Sequence, residues 1–359
     1  MSVRPERLAG LLPEAQADLV LVTDLVNVRY MTGYTGSNGL ALVGPDTRVF
    51  ITDFRYVEQA AAEVDPGYDR RRDHGTGDLF SGLEEVLPAG ELRLGFDDAN
   101  LTVRRHARLR ELLPERVTLV AAGGLVERLR VVKDPSEIEH IRTAARVADA
   151  ALAEILAQGL IGRTERSVAD ALEAAMRAHG AQRPAFASIV AAGPHGARPH
   201  AQPRDVEIAA GQLVTIDWGA EVDGYCSDCT RTVAAGKPSD RAREVYELVL
   251  CAEQAGVEAV RAGAGGREVD AAARTLIEAA GHGEHFGHGL GHGVGLEIHE
   301  APRLSTRSTD TLEASNLVTV EPGVYVPGEL GVRIEDLVVV TADGSEILTS
   351  TDRTLLITH

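Results

Sequence analysis

Two segments of this chain are built alike, and they constrain its fold more than any other part of it. Residues 214–232, VTIDWGAEVDGYCSDCTRT, and residues 318–340, VTVEPGVYVPGELGVRIEDLVVV, each set two apolar-rich strands about a glycine-bearing turn, and each carries two inward-pointing carboxylate candidates. In the first, Asp223-Gly224 is a strong turn signal. A loop at Val222-Asp223 would set Asp217 directly opposite Asp228; a loop at Asp223-Gly224 would set it opposite Thr230, with Asp228 one diagonal step away. Both registers keep the two acids on one face, because side chains alternate with a period of two. A one-residue slip would separate them. Val214, Ile216 and Trp218 mark the sheet as buried, where an unpaired carboxylate is costly. In the second segment Glu321 and Glu335 are equidistant from Gly328, so a symmetric hairpin sets them face to face. Arg333 shares the face of Glu335; holding a ligand carboxylate in place and forming an ordinary salt bridge both fit it.

Between the hairpins, HFGHGLGHGVGLEIHE places His285, His288, His292 and His299 among glycines at 287, 289, 291, 293 and 295. Those glycines let the backbone come close to a ligand or metal. The spacing does not match the helical two-histidine zinc signature. Asp217, Asp228, His292, Glu321 and Glu335 together make a hard, oxygen-rich donor set with one imidazole. Such a set suits two divalent ions such as manganese or cobalt better than a zinc-thiolate site. Four carboxylates balance the charge of two such ions, leaving a shared water to be activated as nucleophile. Hydrolysis is the expected chemistry. Cys226 and Cys229 fall on opposite strand faces and Cys251 completes no second pair, so a thiolate centre is not expected. Neither a glycine-rich phosphate loop nor a nucleophile-elbow serine is present.

At 359 residues the chain has room for two domains. In residues 1–130, apolar runs at Leu19–Thr23, Leu40–Val43, Arg48–Ile51, Leu92–Phe96 and Val117–Val120 alternate with helical patterns near Glu58–Val64, Leu79–Val86 and Val103–Leu113. That alternation predicts an α/β domain. Asp134-Pro135-Ser136-Glu137 then reads as a helix start, with N-cap, first-turn proline and capping-box acid in place. From 131 to 359 helices are expected from Asp134, Thr164, Ser239 and about Glu268 to Ala280. Strands are expected at Phe186–Ala191, Val214–Ala220, Tyr225–Val233, Leu317–Val320 and Val332–Val340, in blocks that predict an α+β domain. A net charge of −18 argues against binding nucleic acid or an anionic membrane. The start has no apolar core of signal-peptide length, and no apolar stretch of about eighteen residues occurs, so a cytoplasmic protein is expected.

With these motifs in their order, the chain resembles the pita-bread metallopeptidases: methionine aminopeptidases, prolidases, aminopeptidases P and the metal-free relative creatinase. The resemblance implies an α/β N-terminal domain and an α+β pita-bread catalytic domain. It implies that Asp217 and Asp228 bind one metal, that Asp228 and Glu335 bridge two, and that His292 and Glu321 complete the second. It further implies that Glu321 exchanges protons with the bound water, that His200 and His299 contact the scissile group, that His288 lines the pocket, and that Arg333 stands behind the ligands. NVRYMTGYTGSNG at 27–39 and TDFRY at 52–56 resemble the proline-specific branch, and all five filled ligand positions disfavour creatinase. Cleavage before proline in a peptide substrate follows, by an aminopeptidase P or, as the alternative, a dipeptide-restricted prolidase. Arg303 could then hold a substrate carboxylate or be a surface arginine. Two divalent ions are implied, manganese first and cobalt, zinc or iron after it. A homodimer is implied as well, in which Arg55 or Tyr56 of a partner could approach the site. His195 departs from related sequences, where a small or amide residue is common; substrate contact and a loop histidine without a task both fit it.

Overall fold

The capping box at the domain junction forms in the computed structural model, which describes residues 3–359 apart from 74 and 76. Asp134 accepts the amides of Ser136 and Glu137, and the Glu137 side chain returns to the Asp134 amide, launching the helix Pro135–Ala157. The chain divides into two units, the first ending at Arg130 and the second beginning at Val131.

The first unit is a mixed six-stranded sheet, in spatial order Asp69–Arg72, Arg48–Thr52, Gly39–Val43, Leu19–Val22, Leu92–Phe96 and Val117–Ala121. The expected helix at Leu79–Val86 is only a single 3₁₀ turn, Leu79–Gly82, capped by Asp78. Gly82 weakens so short a segment, and its apolar residues Leu79, Phe80, Leu83 and Leu87 are buried without a helix to carry them. The sequence patterns missed the helices Arg4–Leu11, Leu25–Thr32 and Leu125–Val131, each too short for a clear period. Leu25–Thr32 does carry end signals, an Asp24 N-cap and Gly33 with φ of +83°. The edge strand Asp69–Arg72 was also missed, because its four side chains are all exposed.

In the second unit, a four-stranded sheet runs Ile357–Thr358, Cys229–Ala235, Leu213–Trp218, Ile189–Ala192, and a five-stranded sheet runs Glu300–Leu304, Gly291–Gly293, Leu317–Val320, Asp336–Val340, Ser345–Ile347. Helices Pro135–Ala157 and Glu165–Ala178 share a core with the first, and helices Asp240–Ala259 and Gly266–Ala279 with the second. The strands expected to be continuous are not. Val214–Ala220 breaks at Gly219, Tyr225–Val233 at Ser227-Asp228, and Val332–Val340 at Ile334-Glu335. At Gly219 a Cβ would lie 2.0 Å from the Ser227 carbonyl oxygen, so glycine is required where the strands cross from one sheet to the next. The expected strand at Phe186–Ala191 begins only at Ile189, freeing residues 186–188 for the cavity wall described below.

Candidate metal centre

The breaks in both hairpins fall at the acids. In the first hairpin Val222 pairs with Tyr225 and Asp217 with Thr230, so the loop is Asp223-Gly224 and Asp228 sits on the diagonal. In the second, Val320 pairs with Asp336 and Gly323 with Arg333, a register symmetric about Gly328 that sets Glu321 across from Glu335. Glu335 leaves its own ladder: its amide donates to the Thr230 carbonyl (3.0 Å), and its Oε2 accepts from Thr230 Oγ1 (2.7 Å). That exchange stitches one hairpin to the other. One ligand-capable oxygen from each of Asp217, Asp228 and Glu335 lies within 4.8 Å of the others. Glu321 and His292 close the group, with His292 Nε2 3.3 Å from Glu321 Oε1 and 3.6 Å from Asp228 Oδ2.

The electrostatics of this group call for cations. His292 Nδ1 faces the Gly293 carbonyl at 3.0 Å and must carry the proton, because a carbonyl only accepts. Burial pushes the imidazole down to about 3, so it is neutral and its Nε2 presents a lone pair to carboxylate oxygens that also only accept. Asp217 Oδ1 is buried with no hydrogen-bond partner among the described residues. Burial, then the charges of Glu335, Asp217 and Glu321, pushes Asp228 well above the carboxylate range. Burial likewise raises Asp217 and Glu335, and lifts Glu321 to about 7. Four acids, each raised by its burial, and a neutral imidazole converge on one space, and that ligand set fits hard divalent ions.

Arg333 supplies a positive charge in direct contact with these acids. Its Nη2 donates to Asp217 Oδ2 (2.6 Å), its Nε to Thr230 Oγ1 (2.9 Å) and its Nη1 to Tyr325 Oη (2.9 Å). The contact with Asp217 is an ion pair, which fits both sequence readings of this residue. His288 lines the cavity, but both its nitrogens are engaged: Nδ1 with the Gly289 carbonyl and Nε2 with Tyr325 Oη at 2.9 Å. Tyr325 and Thr230 were not singled out from the sequence as site residues; position on the acid-bearing face was the only signal they carried.

Above the acids is a cavity of about 530 Å³ whose wall includes Phe186, Ile189, Pro199, Ile298 and the site histidines. His200, His299 and Arg303 all line it, exposed, and their side chains have no hydrogen-bond partner among the described residues. The His299 ring meets that of His292 edge-on at 4.5 Å, and burial followed by the Arg303 charge lowers its pKa. His195 is not in the wall. It is buried against Glu165, with Nδ1 3.0 Å from Oε2, so of its two sequence readings neither substrate contact nor an idle loop residue describes it.

A buried oxygen-rich cation site at the base of an apolar-walled, histidine-lined cavity defines the class of metal-assisted hydrolases. Residues 139–342 match metallopeptidase family M24 and residues 4–132 match the Creatinase/Prolidase N-terminal domain. The chain belongs to the M24 metallopeptidases, in the two-domain architecture that adds the creatinase/prolidase N-terminal domain to the pita-bread catalytic domain. Among relatives, the Xaa-Pro dipeptidase of Pyrococcus furiosus is 35% identical over 359 residues, covering 99% of this chain and all of the relative. Among solved structures, an Xaa-Pro dipeptidase from Bacillus anthracis superposes with a TM-score of 0.95 at 42% identity, covering 99% of each chain. An X-Pro aminopeptidase from Thermotoga maritima superposes at 0.91 and 36%, again covering 99% of each.

Proposed function

We propose that this chain is a metal-dependent peptidase that cleaves the bond between an N-terminal residue and a following proline, acting as an Xaa-Pro dipeptidase. The observation that carries the proposal is the buried ring of Asp217, Asp228, His292, Glu321 and Glu335 beneath a cavity holding His200, His299 and Arg303. The sequence favoured aminopeptidase P over prolidase, but the relatives named dipeptidases lend more support to the alternative. The free cation at Arg303 suits the same choice, because a dipeptide presents its proline carboxylate within the site. The aminopeptidase reading keeps support from the Thermotoga maritima neighbour.

Asp217, Asp228, His292, Glu321 and Glu335 would hold two divalent ions, manganese first. Bound there, such ions supply Lewis acidity, polarising a carbonyl and making water nucleophilic near neutral pH. An Xaa-Pro bond has no N–H for a peptidase to grip, so the substrate is held by its ends and its carbonyl. Thr319 Oγ1 and His292 both lie against Glu321 Oε1, leaving Oε2 to take a proton and pass it towards the proline nitrogen. His200 and His299 are placed to steady the carbonyl oxygen as it gains charge. Arg333 fixes Asp217, while the Thr230 hydroxyl fixes Glu335.

A homodimer and a cytoplasmic location belong to the proposal; among the described residues no helix is long and apolar enough to cross a membrane. The test compares hydrolysis of Ala-Pro and Ala-Pro-Ala by chelator-treated protein, with and without manganese. Cleavage restored by manganese and confined to Ala-Pro supports the dipeptidase. Faster cleavage of the tripeptide moves the assignment to aminopeptidase P. Cleavage of neither overturns the proposal.

A further inference from the structure

The cavity wall that carries His200 has almost no regular structure to hold it. After the 3₁₀ turn Gly193–Ala197, residues 199–203 run along the cavity outside any helix or strand. Its anchoring falls to side chains, since irregular backbone must find its partners one by one. Most of that anchoring converges on one carboxylate. Glu165, the first residue of the helix Glu165–Ala178, is wholly buried and is not among the lining residues. It takes bonds from both ends of the segment: the Ala192 amide (2.9 Å) and His195 Nδ1 (3.0 Å) at one end, and the Arg204 amide (3.0 Å), Nε (3.0 Å) and Nη2 (2.9 Å) at the other. One acid thus pins both ends of a span of which residues 199–203 all face the cavity.

The middle of the span is pressed from the opposite side. The Pro199 carbonyl accepts from Arg333 Nη1 at 3.2 Å, and a Cβ on Gly331 would lie 1.8 Å from the Gly196 carbonyl oxygen. The backbone therefore sits directly on the strand Leu330–Arg333, which leads into the Glu335 ligand. Burial raises the Glu165 acid, but the Arg204 bonds outweigh it with help from the two amides and His195, so the pKa lies below the usual range. An ionised carboxylate only accepts, which puts the proton of His195 on Nδ1.

We propose that Glu165 and His195 are positioning residues, which fix the 199–203 wall and through it the place of His200 over the reacting carbonyl. The inference rests on the function proposed above, and on His200 meeting the substrate. It gives a task to a histidine that family resemblance left without any.

The test substitutes His195 twice. Glutamine keeps an N–H that can donate to Glu165; leucine of similar bulk does not. H195L is expected to lower kcat/KM for Ala-Pro about tenfold, whereas H195Q stays within about threefold of the parent. In an H200A background the same H195L change is expected to cost less than about twofold, since the interaction it disturbs is already gone. A merely structural histidine would cost the same with or without His200, and that outcome overturns the inference. Hydrogen exchange supplies a readout independent of turnover: amides of 192–204 should exchange faster in H195L and not in H195Q. Unchanged exchange in H195L overturns the inference as well, and H195A takes its place in both readouts if H195L does not fold. Should the parent cleave no Xaa-Pro peptide, the proposed function falls while the exchange comparison still decides the positioning.

Discussion

Glu335 and Asp336 are neighbours in sequence, both are buried, and their surroundings differ in kind. Thr230 and Arg231, on the facing strand, divide in the same way. Glu335 faces the cavity with the Thr230 hydroxyl bonded to it, and Asp336 and Arg231 pair on the far side. Behind the sheet Asp336 is met by two guanidinium groups and a hydroxyl, although its Oδ2 has an ion pair and no hydrogen bond among the described residues. Arg231 Nη2 donates to Asp336 Oδ1 (2.7 Å), Thr349 Oγ1 donates to the same oxygen (2.7 Å), and Arg353 Nε stands 3.4 Å from Oδ2. Glu253, pushed up to about 8 by burial and then by Asp336, has Arg353 3.2 Å away. On the cavity side, four acids have one guanidinium in contact, that of Arg333, with Arg303 further off in the wall. Burial alone does not mark a site. A buried acid cluster left without compensation does, because the fold holds it at a cost that only a bound cation removes.

The contrast can be broken most severely from the cavity side. E335Q should lower Ala-Pro hydrolysis by about four orders of magnitude, measured with saturating manganese. Yet chelator-treated E335Q should melt no lower than chelator-treated parent, since the change removes repulsion rather than a pair. A clearly lower melting point would mean that the four acids are already balanced.

The next effect belongs to the far side and has the opposite character. R231M leaves Asp336 buried without its main partner and frees the Glu335 and Thr230 carbonyls that Arg231 now holds, so a loss of about 3–5 kcal/mol in urea unfolding is expected. R231M/D336N should recover part of it; no loss in the single variant would deny that the far cluster is compensated.

A pH series sharpens the comparison further. Glu321 has a folded pKa of about 7 against an ordinary 4.5, so the folded chain binds more protons than the unfolded one between those values. Stability from this group is present below about 4.5 and is lost as pH rises towards 7, at most about 3 kcal/mol. Melting of chelator-treated protein should therefore fall across that window, and saturating manganese should flatten the fall. The smallest effect is expected from T230V, which removes the hydroxyl that donates to Glu335 and accepts from Arg333: about 1–2 kcal/mol of stability and roughly tenfold weaker manganese binding by calorimetry.

Much of this was legible beforehand, and the legible part was local. Alternation put Asp217 and Asp228 on one face, the distance from Gly328 set Glu321 against Glu335, and the signals at Asp134, Thr164 and Ser239 gave helix starts that formed. Turn chemistry, capping and the period of two act over a few residues, so the chain states them outright. Hidden from it were the choice between two registers at Asp223-Gly224, the breaks that turn Glu335 towards Thr230, and the partner of His195 thirty residues back in the chain. The division of the acids into answered and unanswered was hidden too. It depends on Arg231 reaching Asp336, and on Arg333 reaching Asp217, across more than a hundred residues of sequence. Sequence by itself determined which residues could face inward; only the tertiary structure decided which buried charges found partners, because compensation is made between segments and no local pattern records it.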